Sequence, residues 1–201
     1  MKKILITVLF ALFSSTAFAE DWSWLKNTIW IVPPENLVAY ELQGTGIGTM
    51  GTRTTTPPTI TKLQDQTVYK ITGFNQSGTS SYFWGYFYVA VQAGSNKLQS
   101  SCGTLLSPIT SDGDLIISTT TKQKPLQQNW GTGKMVKKTI NGVEQWTMLN
   151  WKVGGYVHTA YMIQTVPGDV YYNNLPFLGT SVDSVLSSSK CTNWIPVSPT
   201  N

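Results

Sequence analysis

One histidine, two cysteines and ten acidic residues are the first places to look in this 201-residue chain for acid–base, nucleophilic or metal chemistry. His158 falls in a segment, Tyr156 to Thr165, whose alternation predicts a strand. Period-two spacing puts His158 on one face with Tyr156, Ala160 and Met162, opposite Val157, Thr159, Tyr161 and Ile163. A general base needs a substrate proton within about 3 Å and, as a rule, an orienting carboxylate. Glu144 and Asp169 are the nearest acids in sequence, and no motif places either beside His158. No Gly-x-Ser-x-Gly elbow is present to present a serine. Glycoside hydrolysis would need two carboxylates about 5–10 Å apart. Glu35, Glu41, Asp65 and Glu144 are available, but no spacing pairs them. No catalytic residue is therefore assigned, and a hydrolase using His158 or a carboxylate pair remains an alternative reading.

Metal and cofactor motifs are equally thin. A single His with two cysteines suited to bridging each other does not make a zinc ligand set. Asp112-Gly113-Asp114 has the look of a calcium loop but lacks the later oxygen ligands and the closing Glu, so it reads as a turn. The glycines at 44, 46, 48 and 51 run into Arg53 and a Thr/Pro stretch. A phosphate loop must open a helix whose amides face the anion, and this one does not. The expectation is no metal and no cofactor.

What the sequence has in excess is aromatic surface: eight Trp and nine Tyr. Flat rings at the mouth of a β fold stack on sugars or apolar ligands, and the same rings also plug barrel ends as packing. Trp22, Trp24, Trp130, Trp151 and Trp194 fall near termini, turns or strand ends. The strongest candidates for a ligand-binding wall are Trp84, Tyr86 and Tyr88 in one strand, and Trp146 and Met148 in another. Each set shares one face if alternation holds, and is expected to line the interior.

The elements that must carry these residues are mostly strands. Asn27–Val32 reads as a first strand, stopped by Pro33-Pro34, and Leu37–Leu42 as a short strand or helical turn. Gln43–Pro58, rich in Gly and Thr, reads as a loop. Ile60–Leu63 and Thr67–Thr72 read as two strands joined by a turn at Gln64 to Gln66, followed by Tyr82–Gln92, an apolar run suited to a central strand. Leu98–Leu106 and Leu115–Thr121 flank an Asp112-Gly113 turn. Lys134–Ile140 and Val143–Trp151 flank Asn141-Gly142, the preferred pair for a two-residue type I′ hairpin. With the return through Gly154-Gly155 they form an antiparallel meander. One short C-terminal helix is expected where Thr180 or Ser181 caps Val182, Asp183, Val185 and Leu186. The tail from Trp194 reads as extended.

The fold class is thus mostly β, an antiparallel β-barrel or β-sandwich with an up-and-down meander in its second half. A helix after the last strand resembles the arrangement of lipocalin-like barrels. Their Gly-x-Trp is replaced here by Thr28-x-Trp30, so the likeness is one of architecture.

The N-terminus reads as a signal peptide over residues 1–19. Lys2 and Lys3 precede the apolar run Ile4–Phe13, which ends at Ala17-Phe18-Ala19, a small-x-small cleavage pattern. That run is about half the ~20 residues needed to span a bilayer, so no transmembrane segment is expected after processing. Residues 20–201 then suit a single β-rich domain. Loss of the two lysines lowers the formal charge from +4 to +2. With no basic run longer than Lys137-Lys138, nucleic-acid binding is not supported. Cys102 and Cys191, in a chain sent to an oxidising compartment, are expected to form a disulfide. Together these features describe a bacterial, periplasmic or secreted, non-catalytic binding protein holding a small apolar or carbohydrate-like ligand. The alternative is an exported effector or inhibitor whose partner is a protein.

Overall fold

Pro33 and Pro34 stand where a first long strand would run, and they decide how the sheet closes. In the structure, a computed structural model, residues 20–43, 59–77, 80–121, 128–153, 156–157, 161–188 and 191 are described. Residues 1–19, read above as a signal peptide, the segment 44–58, Gly154-Gly155, His158 and the tail from Trp194 lie outside the described residues. The two prolines lack the amide a ladder needs. A 3-10 turn at Pro34–Asn36 therefore separates β1 (Ile29–Ile31) from β2 (Val38–Gln43).

The meander continues as β3 (Thr59–Ser77), β4 (Ser80–Ala93), β5 (Gln99–Ile109), β6 (Asp114–Thr121), β7 (Gln128–Ile140) and β8 (Val143–Val153). It ends in β9 (Tyr156–Val157) and β10 (Tyr161–Thr165). Each strand from β3 to β8 pairs antiparallel with the next. β1 bonds both β3 and β10, while β2 bonds both β3 and β9. The pairs β1/β2 and β9/β10 thus each fill one strand position, and the sheet closes as an eight-stranded up-and-down barrel. The barrel alternative is realised and the sandwich is not, because Ile29–Ile31 finds hydrogen-bond partners on both sides.

Two local expectations need correction. The turn at Gln64 to Gln66 does not exist, since β3 runs straight through it. These turn-like polar residues are satisfied by distant chain instead. The Asp65 amide donates to the Leu37 carbonyl at 2.7 Å. Gln66 donates through Nε2 to the Val32 carbonyl and accepts at Oε1 from the Phe177 amide. The second correction concerns helices. α2 (Val182–Leu186) forms where expected, with Ser181 Oγ accepting from the Ser184 amide as a cap. A further short helix, α1 (Val170–Asn173), precedes it. The Asn141-Gly142 hairpin has both residues at positive φ, 52° and 80°, as a type I′ turn requires.

Alternation splits the apolar residues into two bodies. Inside the barrel lie Trp30, Tyr69, Ile71, Phe83, Leu105 and Met148 with their neighbours. Outside, Tyr172 and Leu175 around α1 and Val182 and Val185 of α2 cover Ile31, Val68, Tyr88 and Ala90. The Cys102–Cys191 disulfide, with a Cα–Cα distance of 5.6 Å, ties this C-terminal segment to β5.

The β3–β4 ladder shifts register at a bulge between Ile71 and Gly73, and glycines stand on both strands there. A Cβ on Gly85 would sit 1.9 Å from the Lys70 carbonyl oxygen and 2.9 Å from Ile71 Cα, both backbone atoms that cannot turn aside. A Cβ on Gly73 would fall within the Trp84 indole, which lies over that glycine.

Two stability outcomes follow. The Cys102→Ser/Cys191→Ser variant loses the restraint on a loop of 89 residues. Chain entropy sets an upper loss of about 4–5 kcal/mol, measurable by urea unfolding against the oxidised protein. Gly85→Ala is expected to cost about 2–3 kcal/mol from overpacking. Gly94→Ala, where φ is +52° but a Cβ meets nothing within 4 Å, costs about 1–2 kcal/mol of backbone strain alone. Equal midpoints for the two glycine variants would contradict the close approach.

Candidate functional site

The barrel interior is built as two unlike halves, and the difference begins at the N-terminus. Asp21 accepts from both the amide and the hydroxyl of Ser23, starting a 3-10 turn at Ser23–Leu25. The backbone hydrogen bond, then the hydroxyl, holds the Asp21 carboxyl below its ordinary value. This turn lays Trp22 across one end of the barrel. Its indole N–H donates to the Thr110 carbonyl at 3.0 Å, and its ring rests against Gly113, whose φ of +83° bends β5 into β6. Trp22 meets Trp146 edge-on with ring centres 5.0 Å apart. Trp24 completes the group, 6.1 Å from Trp22, 6.2 Å from Trp30 and 6.3 Å from Trp146. Trp30 is fully buried and donates its indole N–H to Thr28 Oγ1 at 2.8 Å. Four indoles seal this end. On its rim, Lys137 Nζ lies 5.3 Å from the Trp146 ring centre and 3.3 Å from Glu144.

The other half is lined differently. β3 turns Ile71, Tyr69, Thr67 and Asp65 inward at every second residue. From Ile71 to Asp65 is about 20 Å of strand, leading away from the tryptophan plug. Asp65 is buried, at 2% exposure, and its Oδ1 accepts from the Thr67 hydroxyl at 2.7 Å. Tyr69 lies between this polar pair and the apolar floor. Burial, and secondarily the Asp65 charge, raises its phenol well above the ordinary tyrosine range. Phe87, Val89 and Leu105 supply apolar wall, and buried Thr119 stands opposite Leu105 across the β5–β6 pair. Among the described residues the interior therefore grades from indole and thioether at the plug to a mix of apolar, hydroxyl and carboxylate groups.

The sequence-predicted residues divide across the wall. Met148 faces inward and is fully buried, and Trp146 faces inward at the sealed end. Trp84, Tyr86 and Tyr88 do share one face, as expected, but it is the outer one. Phe83, Phe87 and Val89 take the inward positions of β4, so their even-numbered neighbours point away from the core. Tyr88 is covered by the C-terminal segment, and Trp84 packs on Gly73. The sequence reading named Asp65 only as an unpaired acid and did not place Asp65, Thr67 and Tyr69 together in the interior. Their period-two run into Ile71 was the available signal, obscured by reading Gln64 to Gln66 as a turn.

Two acids outside the barrel are held by tyrosine hydroxyls. Glu35 accepts from the Tyr161 hydroxyl at 2.7 Å, and Asp183 accepts from Tyr172 at 2.8 Å. Among the described residues no three metal-ligating side chains cluster, and no helix is long and apolar enough to cross a membrane.

Fold and interior together define a closed up-and-down β-barrel with one end sealed by indoles and, among the described residues, Asp65, Thr67 and Thr119 set beside apolar wall in the opposite half. No protein-family model, curated protein or solved structure matches the chain.

The tyrosines set an alkaline limit. Burial, then the hydrogen bond and charge of the facing carboxylate, pushes Tyr161 and Tyr172 up to about 12. A phenol whose folded value exceeds its unfolded value of about 10 stabilises the fold below pH 10 and loses that contribution as pH rises toward 12. The urea midpoint should therefore fall between pH 10 and 12. Tyr161→Phe/Tyr172→Phe should show a shallower fall over that window, with tyrosinate absorbance reporting the titration directly. An unchanged slope in the double variant would contradict the assignment.

Proposed function

We propose that this protein is an exported, non-catalytic binding barrel that holds a small ligand with an apolar or sugar-like body in the half of its interior opposite the tryptophan plug. The observation that carries this reading is the graded inner wall. A barrel serving only as a packed scaffold gains nothing from a carboxylate and hydroxyls buried beside Tyr69, because each removed polar group must be compensated. Eight strands enclose an interior of the size that either fills with side chains or takes one small ligand. Indoles fill one half here. The other presents the mix of aromatic wall and a few convergent polar groups typical of ligand sites.

Export is supported by the N-terminal pattern of residues 1–19 and by the disulfide, which persists in oxidising compartments. The inward apolar faces, set against Lys134 and Lys138 on the outward positions of β7, suit a wall that meets water. A second reading, an effector or inhibitor acting by protein contact, draws on the exposed Val143, Val166, Val170 and Tyr171.

Native mass spectrometry of protein purified from its source tests the two together. A retained small molecule, lost in a Thr67→Phe variant that fills the half of the interior opposite the tryptophan plug, is the expected result. A bare chain that also shows no saturable quenching of tryptophan fluorescence by apolar compounds or saccharides would sink the ligand reading. A stoichiometric protein adduct would favour the second.

A further inference from the structure

Outside the barrel, the covering segment leaves a cleft. The described C-terminal residues pack over Val68, Tyr88 and Ala90, and a space lined by β3, β4, β5 and the end of α2 lies beside them. The resulting space is about 180 Å³. Its floor is the backbone of Phe87 and Gly103, register partners across β4 and β5. One side is the Tyr86 ring. The other is Leu186 and the Cys102–Cys191 disulfide. Lys70, directly opposite Tyr86 on β3, is the one charged side chain among the described residues that line the cleft.

Each wall constrains what fits. A space of roughly 150 Å³ suffices for a benzene-sized molecule, so this cleft takes a single ring or a short chain. Tyr86, Leu186 and the disulfide present apolar or polarizable surface to such a body. Lys70 is half-buried, and among the described residues no carboxylate forms an ion pair with it. The acid of α2, Asp183, is held by the Tyr172 hydroxyl. A partly desolvated ammonium beside apolar walls selects an anion over a neutral or cationic analogue, because the charge-assisted contact is stronger where water is excluded.

We infer that this outer cleft is a second, separate binding site, for a small carboxylate with an aromatic or short aliphatic body. The carboxylate meets Lys70 and the body lies between Tyr86 and Leu186, against the disulfide. The site shares no side-chain role with the interior around Asp65, so it stands whether or not the barrel holds a ligand.

Benzoate is the probe, with benzamide and benzylamine as neutral and cationic controls of the same shape. In amide-resolved NMR titrations of the oxidised full chain, benzoate is expected to shift Lys70, Tyr86, Gly103 and Leu186 saturably. Benzylamine should not shift them. Lys70→Gln should weaken binding about tenfold and remove its dependence on salt. Leu186→Ala should weaken benzoate and benzamide alike. Absence of shifts up to about 10 mM benzoate, or an unchanged affinity in Lys70→Gln, would overturn the site. Shifts confined to Tyr69, Val89 and Thr119 would also overturn it while supporting the interior reading, so the two proposals fail separately.

Discussion

Closure of the sheet is the constraint on which the rest of this molecule depends. β1 hydrogen-bonds to both β3 and β10, and β2 to both β3 and β9, so no strand edge remains between the first and last strand positions. Once the sheet closes, every second residue of every strand points into one shared space. The side chains there must fit one another rather than solvent. That is why aromatic and thioether residues from six or more strands, such as Trp30, Phe83, Met135, Met148 and Met162, meet in a single body. It is also why a carboxylate at position 65 is buried although it sits on a strand that looks polar at that point.

Closure also explains the use of tryptophan. A barrel of eight strands has two open ends, and an open end admits water to the core. The first described residues spend their turn on closing one of them, with Trp22 anchored by a hydrogen bond to Thr110 and braced by Trp24, Trp30 and Trp146. Fully burying a ring of this size removes about 150–250 Å² from water and stabilises the fold by roughly 4–6 kcal/mol by area, an upper figure. The remaining aromatic surplus is on the outside. There Trp84 covers Gly73, and Tyr88 supports the C-terminal segment. One feature of composition thus serves three distinct tasks: a seal, a core and an outer platform.

The outer platform is where the disulfide acts. α1 and α2 have four and five residues, too short to be stable by themselves. They persist because Tyr172, Leu175, Val182 and Val185 bury against β-sheet and because Cys191 is bonded to Cys102. The same bond forms a wall of the cleft beside Lys70. Covalent restraint and the candidate outer site are therefore parts of one arrangement.

Much of this was legible from residue order alone. Strand content, the Asn141-Gly142 hairpin and the Ser181 cap are set by short-range chemistry, turn residues that accept positive φ and a hydroxyl within reach of its own helix, while the Cys102–Cys191 pair was legible because the chain has just two thiols. The orientation of Trp84, Tyr86 and Tyr88 was not legible. Their strand is aromatic on both faces, so alternation shows that they agree with one another but not which side is in. Only barrel closure decides that, by enclosing Phe83 and Phe87. The continuity of β3 through Gln64, Asp65 and Gln66 was hidden for a similar reason. Their partners, Leu37, Val32 and Phe177, are distant in sequence, and local propensity carries no information about contacts made across the fold.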